Sequence, residues 1–222
     1  MFKVRICKFF PAGVLFALVA ASTLCTDLVE VVKINPRIRL DIRYATTNNF
    51  AGKVVYPSAR CYLQEPAAKA LNLVQKELEK VGLGLKVFDG YRPLSVQRIF
   101  WAVVSDRFPD EKVRAQYVAN PAKGSKHNRG TAVDLTLVDL ETGEDVRMPS
   151  EYDDFSEKAH RKYETMSTKA GDNCLLLETV MKKYGFVPLQ SEWWHFDWND
   201  WQAYPIQDTT FAELEGTGMP KA

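Results

Sequence analysis

Histidine is scarce in this chain: 222 residues hold three, His127, His160 and His195. Cysteine is nearly as rare, with Cys7, Cys25, Cys61 and Cys174. They offer no suitable set for a structural zinc site, which usually takes four Cys or His ligands. Net charge is almost missing too, since 29 Lys and Arg oppose 28 Asp and Glu to leave +1. There is no long basic stripe, so nucleic acid is not expected as a partner. Beyond the N-terminal segment no run is long and apolar enough to span a membrane. Repeats and low-complexity segments are absent. What is there is enough chain for one globular domain that closes its own core.

The first residues differ in kind. Lys3, Arg5 and Lys8 precede an apolar run from Phe9 to Ala21, then small residues. This is the layout of a secretory signal peptide. It predicts residues 1–25 as an export signal, cleaved after Ala20 or Ala21, and 26–222 as the working domain. A periplasmic or secreted location follows. Cys25 raises a lipoprotein reading, but Leu24 is a poor residue before a lipidated cysteine. In an oxidising compartment Cys61 and Cys174 could pair, or could stay as two buried thiols.

Arg37 to Tyr44 alternates strictly, with Ile38, Leu40, Ile42 and Tyr44 against Arg37, Arg39, Asp41 and Arg43. That pattern predicts a half-buried strand. A helix is expected over Pro66–Val81, where Ala67, Ala70, Leu71, Val74, Leu78 and Val81 form one stripe and Gly82 supplies the stop. LGLKVFDGYRP is a short strand ending in a turn at Asp89-Gly90. A second helix is expected over Leu94–Phe108, a strand in TAVDLTLVDL, a helix over Asn173–Tyr184 stopped by Gly185, and a last strand in SEWWHFDWND. Residues 109–129 and 153–170 look irregular. Strands and helices do not alternate as regular βαβ units. The expected class is α+β, a single domain with a central, mainly antiparallel sheet flanked by helices.

Two of the three histidines keep unusual company. In EWWHFDW, Trp194, Phe196 and Trp198 share one strand face, while His195 and Asp197 share the other. The aromatic face suits the core, which leaves His195 aimed elsewhere. Glu192 lies three residues earlier, so a bend is needed for both to reach one site. His127 and Asp134 are seven apart and would face opposite sides of a flat strand; Gly130 could supply the turn that brings them together. Each residue alone has an ordinary role, as a loop hydrogen bonder or a turn former. Taken together, two imidazoles and a carboxylate make a three-ligand zinc site with a position open for water. Zinc lowers the pKa of such a water to roughly 7, and Glu192 could take its proton and return it to a leaving amine.

Ser125-x-His127-x-x-Gly130-x-Ala132-x-Asp134, followed by Glu192-x-x-His195, resembles the paired signature of the zinc D-alanyl-D-alanine dipeptidases. These are related to D,D-carboxypeptidases and hedgehog-like zinc domains. DIRYATTNNFAGK and VFDGYRP add to the resemblance, which spans roughly residues 35 to 198. It implies one zinc per chain on His127, Asp134 and His195, Glu192 as general base, and Arg92 beside the tetrahedral oxyanion, where a fixed cation favours the transition state. It also implies a small substrate pocket bordered by Tyr44, Ser125 and Asp153, with Asp153 meeting the substrate's ammonium group. His160 gets no ligand role. Lys126 and Asp154 depart from the family pattern, where a small residue and an aromatic are expected.

The function implied is hydrolysis of D-Ala-D-Ala or a related D,D-dipeptide. One alternative keeps the chemistry but acts on peptidoglycan stem peptides, as a D,D-carboxypeptidase or endopeptidase. Another is a zinc-stabilised binding module without catalysis, against which Glu192 and Arg92 argue.

Overall fold

The structure, a computed structural model, describes residues 27–217. The expected export signal, with Cys7 and Cys25, lies outside these residues.

The chain opens with β1 (Leu28–Glu30), α1 (Val31–Ile34) and β2 (Arg39–Leu40). Next come β3 (Tyr62–Gln64), α2 (Glu65–Glu79) and β4 (Leu83–Asp89), then α3 (Leu94–Val103) and α4 (Glu111–Tyr117). The second half holds β5 (Ala132–Asp139), α5 (Thr168–Lys183), β6 (Phe186–Pro188), β7 (His195–Trp198) and α6 (Phe211–Leu214).

Five strands form one sheet in the order β2-β4-β5-β7-β6, and β1 pairs with β3 separately. The α+β class holds. The expectation of a mainly antiparallel sheet is corrected: the sheet is mixed, because β2 runs parallel to β4 while β5 and β7 pair antiparallel with their neighbours. Helix α2 packs on β4, α5 packs on β5 and β6, and the two helices pack on each other. Leu71, Val74 and Leu78 of α2, Leu85 and Val87 of β4, Leu135 and Leu137 of β5, and Leu177 and Met181 of α5 are buried in the shared core.

Several boundaries moved. Helix α2 stops at Glu79, so Val81 lies beyond it and is exposed; Gly82 turns the chain with φ +77°. The alternating stretch keeps its burial pattern, with Ile38, Ile42 and Tyr44 inside. Only Arg39 and Leu40 reach β4, however, and Arg43–Ala45 coil into a 3₁₀ turn. Helix α3 ends at Val103, five residues early. Helix α4 was not expected from the sequence; the Asp110 side chain caps it by accepting from the Lys112 and Val113 amides. Helix α5 starts at Thr168 behind a Ser167 cap, where Gly171 and Asp172 had obscured the pattern. Cys61 and Cys174 are separate buried thiols.

Candidate active site

The sheet register builds the site. Asp89 on β4 stands opposite Asp134 on β5, and Asp134 stands opposite His195 on β7. Directly opposed residues project to the same face, so three polar side chains form a row across three strands. A register shift between Val87 and Asp89 brings Asp89 into that row.

His127 reaches the row from outside the sheet. It opens a 3₁₀ turn, His127–Arg129, which Gly130 ends in the left-handed region at φ +69°. A side chain on Gly130 would collide with Leu28 as well as strain the backbone. This is the turn expected between His127 and Asp134. Glu192 arrives on another turn, in which the His195 amide bonds the Glu192 carbonyl at 3.4 Å. Arg161 fastens that turn by donating to the Leu189 and His195 carbonyls at 2.8 and 2.9 Å.

Three donor atoms converge. His127 Nε2 lies 3.2 Å from His195 Nδ1 and 3.4 Å from Asp134 Oδ1. Donors on a zinc tetrahedron sit about 3.3 Å apart, given bonds of about 2.0–2.1 Å. The third pair, His195 Nδ1 and Asp134 Oδ1, is closer at 2.9 Å because the two are hydrogen-bonded directly. Outer partners fix each donor. The Gly90 carbonyl can only accept, so His127 Nδ1 donates to it at 2.7 Å and Nε2 keeps its lone pair. Asp197 Oδ1 accepts from His195 Nε2 at 2.9 Å, which aims Nδ1 inward. Tyr152 donates to Asp134 Oδ2 at 3.0 Å. Oriented, hydrogen-bonded ligands of this kind are what a metal site requires, so His127, Asp134 and His195 fit a divalent ion.

The electrostatics agree. Burial opposes the Asp134 charge, but His127 and His195 hold its carboxyl well below the usual range. Burial would likewise lower His195; its hydrogen bonds to the Asp134 and Asp197 carboxylates overcome that and push the imidazole up to about 10. A metal held here would take the place of the proton on His195 Nδ1. Glu192 approaches His195 to 3.9 Å, and burial pushes its carboxyl up.

Arg92 is buried and tightly held. It donates to Asp89 Oδ2 at 2.6 and 3.1 Å and to Gln97 Oε1 at 2.9 Å, and stacks over Phe100 at 4.9 Å. Burial opposes its charge; Asp89 together with Tyr44, Tyr56 and Tyr152 outweighs that.

A cavity of about 440 Å³ opens over these groups, lined by Arg92, His127, Asp134, Glu192 and His195 together with Tyr44, Ser125 and Asp153. All eight residues singled out from the sequence border this one space. Ser125 is occupied there, its Oγ accepting from the His127 amide at 3.2 Å. His160 is exposed and outside it. Lys126 also lines the cavity and pairs with Asp197 at 2.8 Å, whereas Asp154 turns to the Ser156 amide. Trp194 is buried but lines the cavity and meets Tyr152 edge-on, so it serves the site as well as the core. Sequence reasoning missed Asp89, Tyr152 and any role for Asp197. The Asp89-Gly90 turn and the position of Asp197 beside His195 were visible signals; Tyr152 had none beyond its place next to Asp153.

A metal-binding triad beside a half-buried glutamate and a buried arginine, in a cleft of ligand size, defines a candidate metallohydrolase centre. The chain belongs to the D-ala-D-ala dipeptidase family of peptidases, which it matches over residues 25–214. It is 36% identical over 187 residues to the D-alanyl-D-alanine dipeptidase of Escherichia coli strain K12, covering 84% of this chain and 92% of that protein. It is 36% identical over 187 residues to the D-alanyl-D-alanine dipeptidase of Enterococcus faecalis strain V583, covering 79% and 92%. Among solved structures, a vancomycin-resistance D,D-dipeptidase in complex with a D-Ala-D-Ala phosphinate analogue aligns with a TM-score of 0.41 at 18% identity, over 64% of this chain and 53% of that one. The resemblance read from the motifs is borne out, and the chain is a peptidase.

Proposed function

We propose that this peptidase hydrolyses D-Ala-D-Ala, or a closely related D,D-dipeptide, at one zinc ion held by His127, Asp134 and His195. The observation that carries the reading is the near-tetrahedral spacing of their three donor atoms, with Glu192 3.9 Å from His195 inside the same cavity. Bound there, zinc supplies Lewis acidity and lowers the pKa of a coordinated water to roughly 7.

The chain's own groups do the rest. Glu192 takes a proton from the attacking water and returns it to the leaving amine; its raised carboxyl brings it closer to neutral pH, where such a group transfers protons best. Arg92 presents a cation that Asp89 and Gln97 have already fixed, so negative charge developing on the scissile carbonyl meets it without reorganisation. Asp153, with Tyr44 beside it, receives the dipeptide's ammonium group. Ser125 holds the turn that carries His127 and borders the substrate.

Glu192→Gln tests the reading. The variant is expected to keep one zinc per chain and lose about 10²–10⁴-fold in kcat. Full activity with zinc bound would remove Glu192 from the mechanism.

A further inference from the structure

The cavity is polarised across the sheet. One flank is acidic. Asp153 is reached from Asp134 through the Tyr152 and Tyr44 hydroxyls, and Tyr152 stacks on Phe88 of β4 at a ring distance of 4.5 Å. The other flank is basic. Lys126 Nζ pairs with Asp197 Oδ2 at 2.8 Å, and Asp197 stands on β7. Because β5 lies between β4 and β7, the two flanks fall on opposite sides of Asp134.

Lys123, Lys126 and Arg129 line the basic flank together with Trp201. Lys126 Nζ and the Arg129 guanidinium each stand 5.3 Å from the centre of the Trp201 ring. An aromatic face attracts cations without neutralising them. Arg129 is also fixed by donating to the Tyr204 carbonyl. Among the described residues, Asp197 is the one carboxylate paired with any of these cations, and it is shared with His195. Lys123 and Arg129 form no ion pair there. The other carboxylates of the cavity, Asp134, Asp153 and Glu192, belong to the metal site and the acidic flank.

Two unmatched cations in a cleft attract anions, because the cleft focuses their field. A dipeptide with its ammonium group at Asp153 crosses the metal site and carries its C-terminal residue to the basic flank. Its terminal carboxylate answers one of the two cations. The other is left for a second carboxylate. A cavity of about 440 Å³ lies within the range of small-molecule sites, so a side chain longer than a methyl group has room. Lys126 adds to the positive field at a position where the family motif has a small residue, which makes this charge a property of the chain itself.

We infer that the basic flank is a subsite for an acidic C-terminal side chain, so that the enzyme favours D,D-dipeptides ending in D-Asp or D-Glu over neutral ones of the same size. The inference rests on the dipeptide reading, which puts the ammonium group at Asp153, and adds a substrate class to it. Lys123, Lys126 and Arg129 act here on specificity, through substrate capture. Such attraction between charges near water weakens with salt.

Hydrolysis of D-Ala-D-Glu and D-Ala-D-Gln by the zinc-loaded protein tests the subsite, since the two differ in charge and hardly in size. The acidic dipeptide is expected to lead by about threefold or more in kcat/KM, through a lower KM, and the lead is expected to shrink as salt is raised. Lys123→Gln and Lys126→Gln, the second still able to donate to Asp197, are each expected to bring that ratio towards one. Taking the ratio within each variant cancels any change in metal occupancy. Equal rates on the two dipeptides, a lead for D-Ala-D-Gln, or a ratio that both variants leave unchanged overturns the inference. D-Ala-D-Ala, run alongside, separates the failures. Its cleavage without an acidic preference removes the subsite alone, whereas no cleavage of any dipeptide removes the dipeptide reading and the subsite with it.

Discussion

His195 and Asp134 stand directly opposite each other on β7 and β5, with Nδ1 and Oδ1 2.9 Å apart. Strand register alone sets this relationship, since neither residue depends on a loop for its position. The third donor, His127, comes from the turn next to β5 and is fixed by the Gly90 carbonyl. Rigid sheet positions with hydrogen-bonded outer partners give a site its precision.

Asp197 is the outer partner with the clearest consequence. It accepts from His195 Nε2 and is itself paired with Lys126. Asp197→Asn is expected to weaken zinc binding by about 10–100-fold, read by competition with a chelator, while the folded spectrum stays the same. Unchanged affinity would show that His195 needs no such partner.

Gly90 has no room to grow. A Cβ there would lie 2.5 Å from Cys61 Sγ and 2.8 Å from the Tyr62 carbonyl. Gly90→Ala is expected to destabilise the fold by about 1–3 kcal/mol, measured by denaturant unfolding, and to weaken metal binding because the Gly90 carbonyl moves away from His127. A neutral effect on both would mean that the DGYRP turn tolerates more than its packing suggests.

Glu77 ties α2 to α5. Its carboxylate accepts from Lys183 at 2.7 Å and Lys80 at 2.6 Å, and these bonds lower it to about 2. The unfolded chain titrates this group near about 4.3. On acidification the unfolded state therefore takes up the proton first. The contribution is present above about pH 4.3 and is lost as pH falls towards 2. Glu77→Gln is expected to lower the melting temperature slightly above about pH 4.3, a small effect as suits an exposed pair, and to flatten the acid part of the profile by the same amount. An unaltered acid limb would contradict it.

Much of the site was legible because its signals are local. Gly130 between His127 and Asp134 marks a turn, and the three-residue step from Glu192 to His195 demands a bend. Both exist. The alternation from Ile38 to Tyr44 correctly gave burial, yet not hydrogen bonding, because a strand needs a neighbour and only Arg39 and Leu40 have one. Asp89 and Tyr152 were out of reach for a related reason. Asp89 joins the row through a register shift in β4, and Tyr152 enters from an aperiodic loop; both placements come from contacts distant in sequence. Helix α4 was within reach, since Pro109-Asp110-Glu111 is a start signal.

The most direct test of the account is hydrolysis of free D-Ala-D-Ala and of a stem pentapeptide ending in D-Ala-D-Ala, side by side. The zinc-loaded protein and a chelated control would be compared. The account predicts cleavage of the dipeptide, loss of that activity on chelation, and little or no cleavage of the pentapeptide. Preferred cleavage of the pentapeptide would contradict the dipeptide assignment, and cleavage that survives complete removal of metal would contradict the role of His127, Asp134 and His195.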